Sequence, residues 1–554
     1  MTPDMPADVP VAAPQTVVTA AAAQSLTQTI VVKSHGYRYE VIGNTLLKPE
    51  LIKTLLREAA DPKVAFDVLN QAYQKAGYFL VALRGNLKNK TFSIQVTEGR
   101  LTESKISPDL EGYFSGLEGR ESLTRSDVLS KAAMAELYAA RQGLRPKLNF
   151  EPAQEVGGSR MTVTEEPIEN AKFWNANLGF GNYGNRYSSR FLLQSGAALR
   201  PGAGLELTAN YTHGLPGLNY ESLGSNYNAG NVGTSIVTPW GIYGASYSLT
   251  NYRISQQGCQ VSTNHELCSE GDFEIANVFG NQLLYADEVW RWWLNQGFTY
   301  TNYNTQDTLF LLGCCYKIEQ ARITPSISVF DQNYNFVNVG ISFSRMLQLY
   351  EQNGSLSGSL NYSRGVGGTV KIPTGIVGQG EPQVVQYSSA TPLVPDTLFN
   401  LLNWNFVYAQ NLPESFRASI SLTGQWANST LPTNQQWVLG GYGNLTAWFP
   451  GVVVGDQGML ASTSVSRSWE WGPLSLSPSL FLEAGYSQRS FVPQGGQETQ
   501  FLSDIGIGLA VRLKSGTGLT MGSAAPLARS GGQEFGVDKS SNRAYFYFNL
   551  TQSF

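Results

Sequence analysis

Charged residues and long apolar runs are both scarce in this sequence. Charged side chains make up only 14% of the 554 residues, and the formal net charge is −4. No run of about 18 consecutive apolar residues occurs, so the sequence predicts no transmembrane helix. A slightly acidic chain also lacks the basic patch that nucleic-acid binding requires. Composition therefore excludes a helical membrane protein and gives no support to a nucleic-acid partner.

Histidine is equally scarce. The three histidines, His35, His213 and His265, are far apart in the sequence. None belongs to a zinc-ligand spacing, a nucleophile elbow or a phosphate-binding loop. The glycine-rich stretch 179–184 falls in predicted strands rather than before a helix, so it does not indicate a phosphate site. We therefore predict that the chain is not an enzyme and has no cofactor and no metal site.

The charged residues that do occur are unevenly distributed. Residues 35–167 carry 35 charges in 133 positions, whereas residues 168–554 carry 42 in 387. The first stretch has the surface of a soluble domain. The second is rich in Gly, Ser, Asn and Tyr, as expected of strands that face lipid on one side and water on the other. The sequence thus predicts at least two regions of different character.

The last eleven residues alternate between apolar and polar side chains and end on an aromatic residue. Successive side chains of a strand point to opposite faces, so one face here suits lipid and the other a wet lumen. Only Gln552 interrupts the apolar face. The members of that face are Ala544, Phe546, Phe548, Leu550 and Phe554. Such an ending resembles that of the β-barrels of the bacterial outer membrane, and this resemblance implies that Phe554 is read as an assembly signal.

Strands and turns alternate from Ala171 to the C-terminus. Sixteen strands can be placed, the first near 172–182 and the last near 542–554, and bacterial single-chain barrels have even numbers of strands. Every second connection is short, as periplasmic turns should be. The segment 322–330 also alternates, but a seventeenth strand would invert every later loop. We therefore predict a barrel over 168–554 and place 322–330 in an extended outer loop.

Residues 35–104 are predicted to form a small α/β unit. A strand at 35–42 precedes helices at 49–60 and 61–75, and strands at 79–84 and 91–97 flank a turn at Gly85-Asn86. With Tyr73 and the pair Glu98-Gly99 at these spacings, the unit resembles a POTRA domain, a periplasmic module of outer-membrane transporters. Residues 105–167 resemble a second, diverged copy, with helices in 123–143 and strands at 147–151 and 159–165.

The first 34 residues differ from a secretion signal. The first basic residue is Lys33, and no compact apolar core follows Met1. A barrel has to cross the inner membrane, so we expect that a signal has been removed or that the start is misassigned. Residues 1–34 are rich in Pro, Ala and Thr, which predicts a disordered leader, with a short helix around 19–28 as the alternative.

The most specific motif follows the eleventh predicted strand. It reads Leu439-Gly-Gly-Tyr-Gly-Asn-Leu-Thr-Ala-Trp448, then Gly455-Asp456-Gln-Gly458, and the thirteenth strand contains Phe481-Leu-Glu483-Ala-Gly485. This order resembles the TpsB family, the outer-membrane pores of two-partner secretion, to which FhaC belongs and BamA is more distantly related. The resemblance covers residues 35–554. It implies that a loop containing Gly440 and Gly441 folds into the lumen.

One departure from the family concerns the tip of that loop. In the family an Arg-Gly-aromatic tip pairs its Arg with a carboxylate of the strand motif. Here the tip is Leu445-Thr446-Ala447-Trp448, so Thr446 replaces the Arg while Glu483 remains. A threonine hydroxyl offers only a neutral hydrogen bond, worth about 0.5–1.5 kcal/mol net. We predict that Thr446 or its backbone approaches Glu483, with Arg364 or Arg417 as an alternative partner of Glu483. Another interpretation is that Trp448 and Phe449 are ordinary exposed loop aromatics.

The four cysteines fall in two predicted outer loops, and an exported surface favours disulfides. Two arrangements remain open. Cys259 can pair with Cys268 and Cys314 with its neighbour Cys315, or two bridges can join the loops. We predict that these cysteines are structural and do not bind a metal, since His265 is the only histidine near them in the sequence.

The resemblance implies the fold and the function together. The fold is a pair of α+β POTRA modules followed by a 16-stranded antiparallel transmembrane β-barrel. The function is the export of a large partner exoprotein, which the POTRA pair recognises. We expect a monomer in outer-membrane lipid, inserted by the barrel assembly machinery, with its POTRA modules in the periplasm. The alternatives are a BamA-type assembly factor and a passive diffusion porin.

Overall fold

The computed structural model describes most of the chain. The ranges described are 29–120, 122–155, 157–184, 188–218, 226–256, 265–311, 326–349, 352–371, 395–448, 450–490, 499–530 and 545–554. No helix within these ranges has both the length and the apolar content that are needed to span a membrane.

The N-terminal part of the described chain consists of a four-stranded sheet and two helices. Strands β1 (Ile30–Ser34), β2 (Tyr37–Ile42), β3 (Val81–Lys88) and β4 (Thr91–Glu98) lie in the order β1-β2-β4-β3. Helices α1 (Pro49–Glu58) and α2 (Pro62–Lys75) connect β2 to β3. Apolar side chains of both helices pack with those of the sheet in one core. Strand β1 occupies residues that the sequence assigns to the leader.

The start of α2 follows the capping signal in the sequence. The Asp61 carboxylate accepts hydrogen bonds from the backbone N–H groups of Lys63 and Val64, at 2.8 and 2.9 Å. Pro62 occupies the first helical position, where no intrahelical N–H is needed. The helix therefore begins and ends as its sequence predicts.

The turn predicted at Gly85-Asn86 is wrong. Both residues lie inside β3, and the hairpin turns at Asn89-Lys90, whose φ angles are 46° and 63°. Gly85 is needed for space rather than for a turn, because a Cβ atom there would lie 2.6 Å from the Phe92 ring. The glycine thus marks a close contact inside the strand.

The Glu98 carboxylate fixes the segment between β2 and α1. It accepts hydrogen bonds from the Thr45 N–H at 2.8 Å and the Leu46 N–H at 3.0 Å, and it contacts the Thr45 hydroxyl. The Tyr73 hydroxyl donates to Asn44 Oδ1 at 2.6 Å in the same network. Burial, followed by the nearby charge of Glu98, raises the pKa of Tyr73. The Glu98 of the Glu-Gly pair is therefore an acceptor that holds the β2–α1 connection against the end of β4.

A three-stranded sheet and one helix follow. Strands β5 (Arg100–Ile106), β6 (Leu144–Pro152) and β7 (Gly158–Pro167) lie in the order β5-β7-β6. Helix α3 (Arg125–Arg141) opens with a capping box between Thr124 and Asp127. A short 3-10 helix spans Pro108–Tyr113. Strand β5 has no counterpart in the sequence prediction and crosses the proposed module boundary between residues 104 and 105.

A closed barrel of 16 antiparallel strands forms the rest of the described chain, as predicted. The consecutive segments β21 (Gln457–Arg467) and β22 (Trp469–Trp471) pair with the same neighbouring strand and count as one strand. The barrel strands are β8 (Trp174–Gly181), β9 (Leu192–Gly202), β10 (Leu205–Gly214), β11 (Asn226–Thr238), β12 (Gly241–Gln256), β13 (His265–Ala286), β14 (Trp290–Leu311), β15 (Ser326–Leu349), β16 (Gln352–Lys371), β17 (Asn400–Leu412), β18 (Phe416–Ala427), β21 (Gln457–Arg467) with β22 (Trp469–Trp471), β23 (Leu474–Gln488), β24 (Thr499–Leu513), β25 (Thr517–Ser530) and β26 (Tyr545–Ser553).

The structure corrects the placement of 322–330. Residues Ser326–Phe330 are the first part of β15, so they belong to the eighth barrel strand rather than to an outer loop. Residues 322–325 lie outside the described ranges. Strands β13 to β16 have 20 to 24 residues, about twice what a membrane crossing requires. The sequence prediction assumed strands of about 9–11 residues, so it assigned the part of this hairpin beyond the membrane to a loop.

The barrel closes where its last strand meets its first. Strand β26 pairs with β25 on one side and with β8 on the other. Phe546, Leu550 and Phe554 are exposed on the outer face, whereas Tyr547 is buried on the inner face. The Phe554 N–H donates to Ala176 O at 2.9 Å, so the terminal residue takes part in the closure. The outward position of Phe546, Leu550 and Phe554 and the inward position of Tyr547 agree with the apolar and polar faces predicted from the sequence.

Candidate functional site: an inward-folded loop

The loop between the eleventh and twelfth barrel strands is a small hairpin of its own. Strands β19 (Trp437–Leu439) and β20 (Val453–Gly455) pair antiparallel, with Leu439 opposite Val453. They bracket residues 440–452, which carry the tip predicted from the sequence. The glycine-rich motif thus occupies a compact, folded element.

Two adjacent glycines begin the turn. Gly440 and Gly441 have φ angles of 101° and 107°, values that only glycine adopts readily. A Cβ atom on Gly441 would also come within 3.2–3.3 Å of Pro450. The Gly441 N–H donates to Trp448 O at 3.1 Å, which joins the two sides of the turn. The pair of glycines therefore makes the tight reversal possible.

Two successive backbone amides of the tip bind two strand carboxylates. The Thr446 N–H donates to Glu483 Oε2 and the Ala447 N–H donates to Asp504 Oδ2, each at 2.8 Å. Glu483 lies on β23 and Asp504 lies directly opposite it on β24. Thr446 is 1% exposed, Glu483 4% and Asp504 0%. Sequence reasoning found the first carboxylate and missed the second.

Alternation along β23 shows that these contacts lie inside the barrel. Leu480 and Leu482 are 54% and 44% exposed on the outer face. Glu483 follows Leu482 directly, so its side chain points to the opposite, inner face. Phe481 and Gly485 share the inward face with Glu483, since they are two residues away on either side. A loop that binds Glu483 therefore lies in the lumen.

An apolar cluster surrounds the tip. The buried members are Leu439, Leu445, Ala447, Trp448, Val453, Leu502 and Ala524, and Phe481 packs against them. Trp448 is 3% exposed, and its indole N–H donates to Ser503 O at 3.3 Å. Trp448 is thus a buried anchor rather than an exposed loop aromatic. Phe449 lies outside the described residues.

The missing Arg is replaced by backbone donors rather than by the threonine side chain. The Thr446 hydroxyl accepts a hydrogen bond from the Gly443 N–H at 3.2 Å and so supports the turn. In the described part of the chain, neither Arg364 nor Arg417 forms an ion pair with Glu483. The tip is therefore held by amide–carboxylate hydrogen bonds.

Asp456 fastens the base of the loop. This residue is 2% exposed. Its Oδ1 accepts from the Leu431 N–H and its Oδ2 from the Ser490 N–H, each at 2.8 Å. The Asp456 N–H in turn donates to Gln488 O at 2.9 Å. One carboxylate thus ties the segment that enters the loop to the end of β23.

The glycines around Asp456 allow close packing. A Cβ atom on Gly458 would lie 2.1 Å from the Trp437 ring, so any larger residue would push this tryptophan away. A Cβ atom on Gly455 would lie 2.3 Å from the Ser487 hydroxyl oxygen and 2.5 Å from Gln488 O, and one on Gly485 would lie 3.0 Å from Met459 O. The motif Gly-Asp-x-Gly therefore consists of a buried carboxylate, Asp456, flanked by two glycines, Gly455 and Gly458, at positions with no space for a side chain.

A second set of hydrogen bonds, which no sequence motif indicated, joins the loop to β15. The Gln332 side chain is fully buried; its Nε2 donates to Thr433 Oγ1 at 3.0 Å, and its Oε1 accepts from the Thr433 N–H at 3.2 Å. The buried Tyr334 hydroxyl bonds to Asn434. Polar residues on the inward face of a long strand are the signal that could have identified them.

The remaining predicted site residues are only partly described. Cys259, Cys314 and Cys315 lie outside the described ranges. Cys268 lies in β13, opposite Ser255, but its side chain is not among those described. The disulfide pairings stay predictions. No group of three or more metal-ligating side chains occurs among the described residues.

Fold and loop together define a class of protein, a 16-stranded barrel whose lumen holds a fastened loop. Residues 317–512 match the family model "Haemolysin secretion/activation protein ShlB/FhaC/HecB". The chain is 21% identical over 425 residues to the heme/hemopexin transporter protein HuxB of Haemophilus influenzae strain 86-028NP, covering 70% of this chain. It spans 61% of that relative's length. HuxB from another Haemophilus influenzae source is 28% identical over 138 residues, 24% of each chain.

Two solved structures share the fold over almost the whole chain. CdiB from Escherichia coli has a TM-score of 0.67 at 15% identity, covering 98% of this chain and 94% of the other. CdiB from Acinetobacter baumannii has a TM-score of 0.61 at 14% identity, covering 96% and 91%. These two matches show that the barrel fold is shared.

Proposed function

We propose that the chain is an outer-membrane pore that exports a large partner exoprotein, adhesin-like or haemolysin-like, by two-partner secretion. The observation that carries the proposal is the loop tip, buried in the lumen and bonded to Glu483 and Asp504. A pore that opens for one long polypeptide needs such a loop, because the resting barrel would otherwise leak.

The N-terminal sheets are the proposed receptor for the partner. In the described residues, β1 and β3 each pair on one side only, as do β5 and β6. Unpaired strand edges offer backbone donors and acceptors to an added strand. Val31 on β1 and Leu87 on β3 are exposed and could contact apolar side chains of such a strand. We infer that an unfolded periplasmic segment of the exoprotein pairs with one of these edges.

The proposed export then follows from the geometry of the loop. Docking brings the exoprotein to the barrel, the loop tip leaves its carboxylates, and the extended chain passes through the lumen. Folding outside supplies the direction, because the sequence has no nucleotide-binding motif. We place the N-terminal sheets in the periplasm, and we expect one copy of the chain to suffice.

Secretion of a neighbouring exoprotein tests the proposal. A large exoprotein, sought among the genes that neighbour the one for this chain, would be co-expressed in a heterologous host, and its amount in the medium compared with its amount in the periplasm. Deletion of residues 29–98 should abolish export and leave a folded barrel. The matched control is Glu274→Gln, which changes a barrel carboxylate remote in sequence from the loop. Normal export after the deletion would contradict the receptor role.

The same strains separate the alternatives. A BamA-type factor would restore assembly of other barrels when the host's own factor is depleted, without any effect on the exoprotein. A passive porin would admit small solutes from the medium equally with and without the N-terminal sheets. Either result, in the absence of exoprotein export, would replace the proposed function.

A further inference from the structure

The second tip carboxylate, Asp504, has no place in the family motif that identified Glu483. Both residues are buried, they face each other across adjacent strands, and each accepts one amide of the same two-residue segment. Adjacent strands lie about 4.8 Å apart, which is close to the reach of two successive amides of a turn. The carboxyl pair therefore matches the Thr446-Ala447 backbone as a two-pronged acceptor.

No positive charge neutralises the pair in the described part of the chain. The ionisable groups that face it are the phenols of Tyr442, from the loop, and Tyr547, from β26, whose rings lie 4.2 Å apart. Asp504 Oδ1 is buried and has no hydrogen-bond partner in the described part of the chain. Two ionised carboxylates in this position would repel each other, and one shared proton would remove the repulsion.

We propose that Asp504 is a second positioning residue of the loop tip, and that Glu483 and Asp504 hold the tip as a singly protonated pair. This inference rests on the proposed function only in calling the held loop the resting state of an export pore. The pair takes the place of the family Arg: two backbone amides supply the donors, and one proton supplies the missing positive charge. Loss of that proton at high pH should loosen the tip.

A buried cysteine at the tip reports whether the tip is held. In Thr446→Cys the backbone amide that binds Glu483 is kept, and the thiol occupies a position that is almost fully buried. Maleimide labelling of the assembled barrel then requires the tip to leave its site. Labelling is measured above the background of the parent chain, which has four native cysteines. The readout needs no exoprotein, so it can fail independently of the export assay.

Two substitutions of Asp504 distinguish positioning from general packing. Asp504→Ala removes the acceptor for the Ala447 amide, and we expect labelling to become about tenfold faster, which corresponds to about 1.4 kcal/mol. Asp504→Asn keeps a carbonyl acceptor and an N–H donor toward Glu483, so it imitates the shared proton. This variant should label as slowly as wild type. Glu274→Gln serves as the matched control.

The pH profile tests the shared proton directly. Labelling of the wild-type tip should rise toward pH 9 beyond the rise of the thiol's intrinsic reactivity, which a short free peptide containing one cysteine reports. Asp504→Asn should lack this additional rise. If Asp504→Ala labels like wild type, Asp504 does not position the tip. If Asp504→Asn keeps the full additional rise, the shared proton is refuted. Should Asp504→Ala fail to assemble, the Asp504→Asn profile still decides the second question.

Discussion

The carboxylate at the base of the loop offers the sharpest test of how the loop is built. Asp456 accepts hydrogen bonds from two backbone amides, a buried one at Leu431 and a part-buried one at Ser490. Asp456→Ala removes both bonds; the unsatisfied buried donor costs about 1–3 kcal/mol, and the lost bond at the exposed Ser490 costs about 0.5–1.5 kcal/mol. The expected loss is therefore about 1.5–4.5 kcal/mol of loop stability. Asp456→Asn keeps one acceptor oxygen but turns an N–H donor toward the second amide, so it should lose about half as much.

The loss can be measured without unfolding the barrel. Assembled protein in detergent is exposed to a protease that cleaves extended loops, and the rate of cutting between residues 437 and 456 is recorded. A rate set by local opening changes tenfold for every 1.4 kcal/mol, so the three proteins should be well separated. The control is Asp396→Ala, which removes a single hydrogen bond from the Leu398 N–H at an exposed site. We expect this control to change the rate by less than about fivefold.

The order of the rates decides the argument. Wild type should be cut most slowly, Asp456→Asn next and Asp456→Ala fastest. Equal rates for the two Asp456 variants would mean that the carboxylate acts by charge and not as a two-amide acceptor. Rates equal to wild type would mean that the loop base is held elsewhere, with Gln332 and Tyr334 the remaining fastenings. In either case the account given for the Gly-Asp-x-Gly motif would be wrong.

The remaining predictions concern the other parts of the chain. A fragment of residues 29–167 should fold alone, and Glu98→Ala should lower its free energy of unfolding in urea by about 1–3 kcal/mol, whereas Glu103→Gln, which breaks a surface ion pair, should lower it by less than about 1 kcal/mol. Ile507→Arg, on the lipid face, should cost about 2–4 kcal/mol and reduce heat-modifiable barrel, while Thr520→Arg, facing the lumen, should not. Phe554→Ala should slow barrel assembly in cells without changing the melting of the barrel that does assemble, and equal assembly rates would remove its role as a signal. Thr446→Arg should form an ion pair with the Glu483 and Asp504 carboxylates and lower the resting ion conductance in planar bilayers, and an unchanged or higher conductance would mean that the site has no room for the guanidinium.

The alternation of side chains made most of the barrel predictable. Sixteen strands, their order and the short turns follow from a period of two, which a sheet with one lipid face imposes at every strand. The same rule put Glu483 in the lumen, because Leu482 faces lipid. Where the rule was supplemented by an assumption about strand length, the placement of 322–330 in an outer loop was wrong for residues 326–330.

What the sequence could not give depends on residues far apart in the chain. Ala447 binds a carboxylate 57 positions later, and Gln332 binds a threonine 101 positions later. Asp504 alternates with the exposed Ile505 and Ile507, so its inward orientation was readable, yet its partner was not. Lumen contacts of a loop are set by the closure of the whole barrel, and no local pattern encodes them.

The two parts of the loop are held in different ways, and this difference determines which part can move. The base depends on Asp456 and on the Gln332–Thr433 pair, and separation there would leave the buried Leu431 N–H and the buried Gln332 side chain without partners. The tip depends on two amide–carboxylate bonds, and it is bounded by residues with positive φ at Gly440 and Gly451, where the backbone can reorient. Freeing the tip costs those two bonds and exposes mainly Leu445 and Trp448, an apolar loss of about 3–6 kcal/mol. A passing polypeptide can compensate that loss by covering the same apolar surface. The segment from Gly440 to Gly451 is therefore the part of the loop that should yield first, while its base stays on the barrel wall.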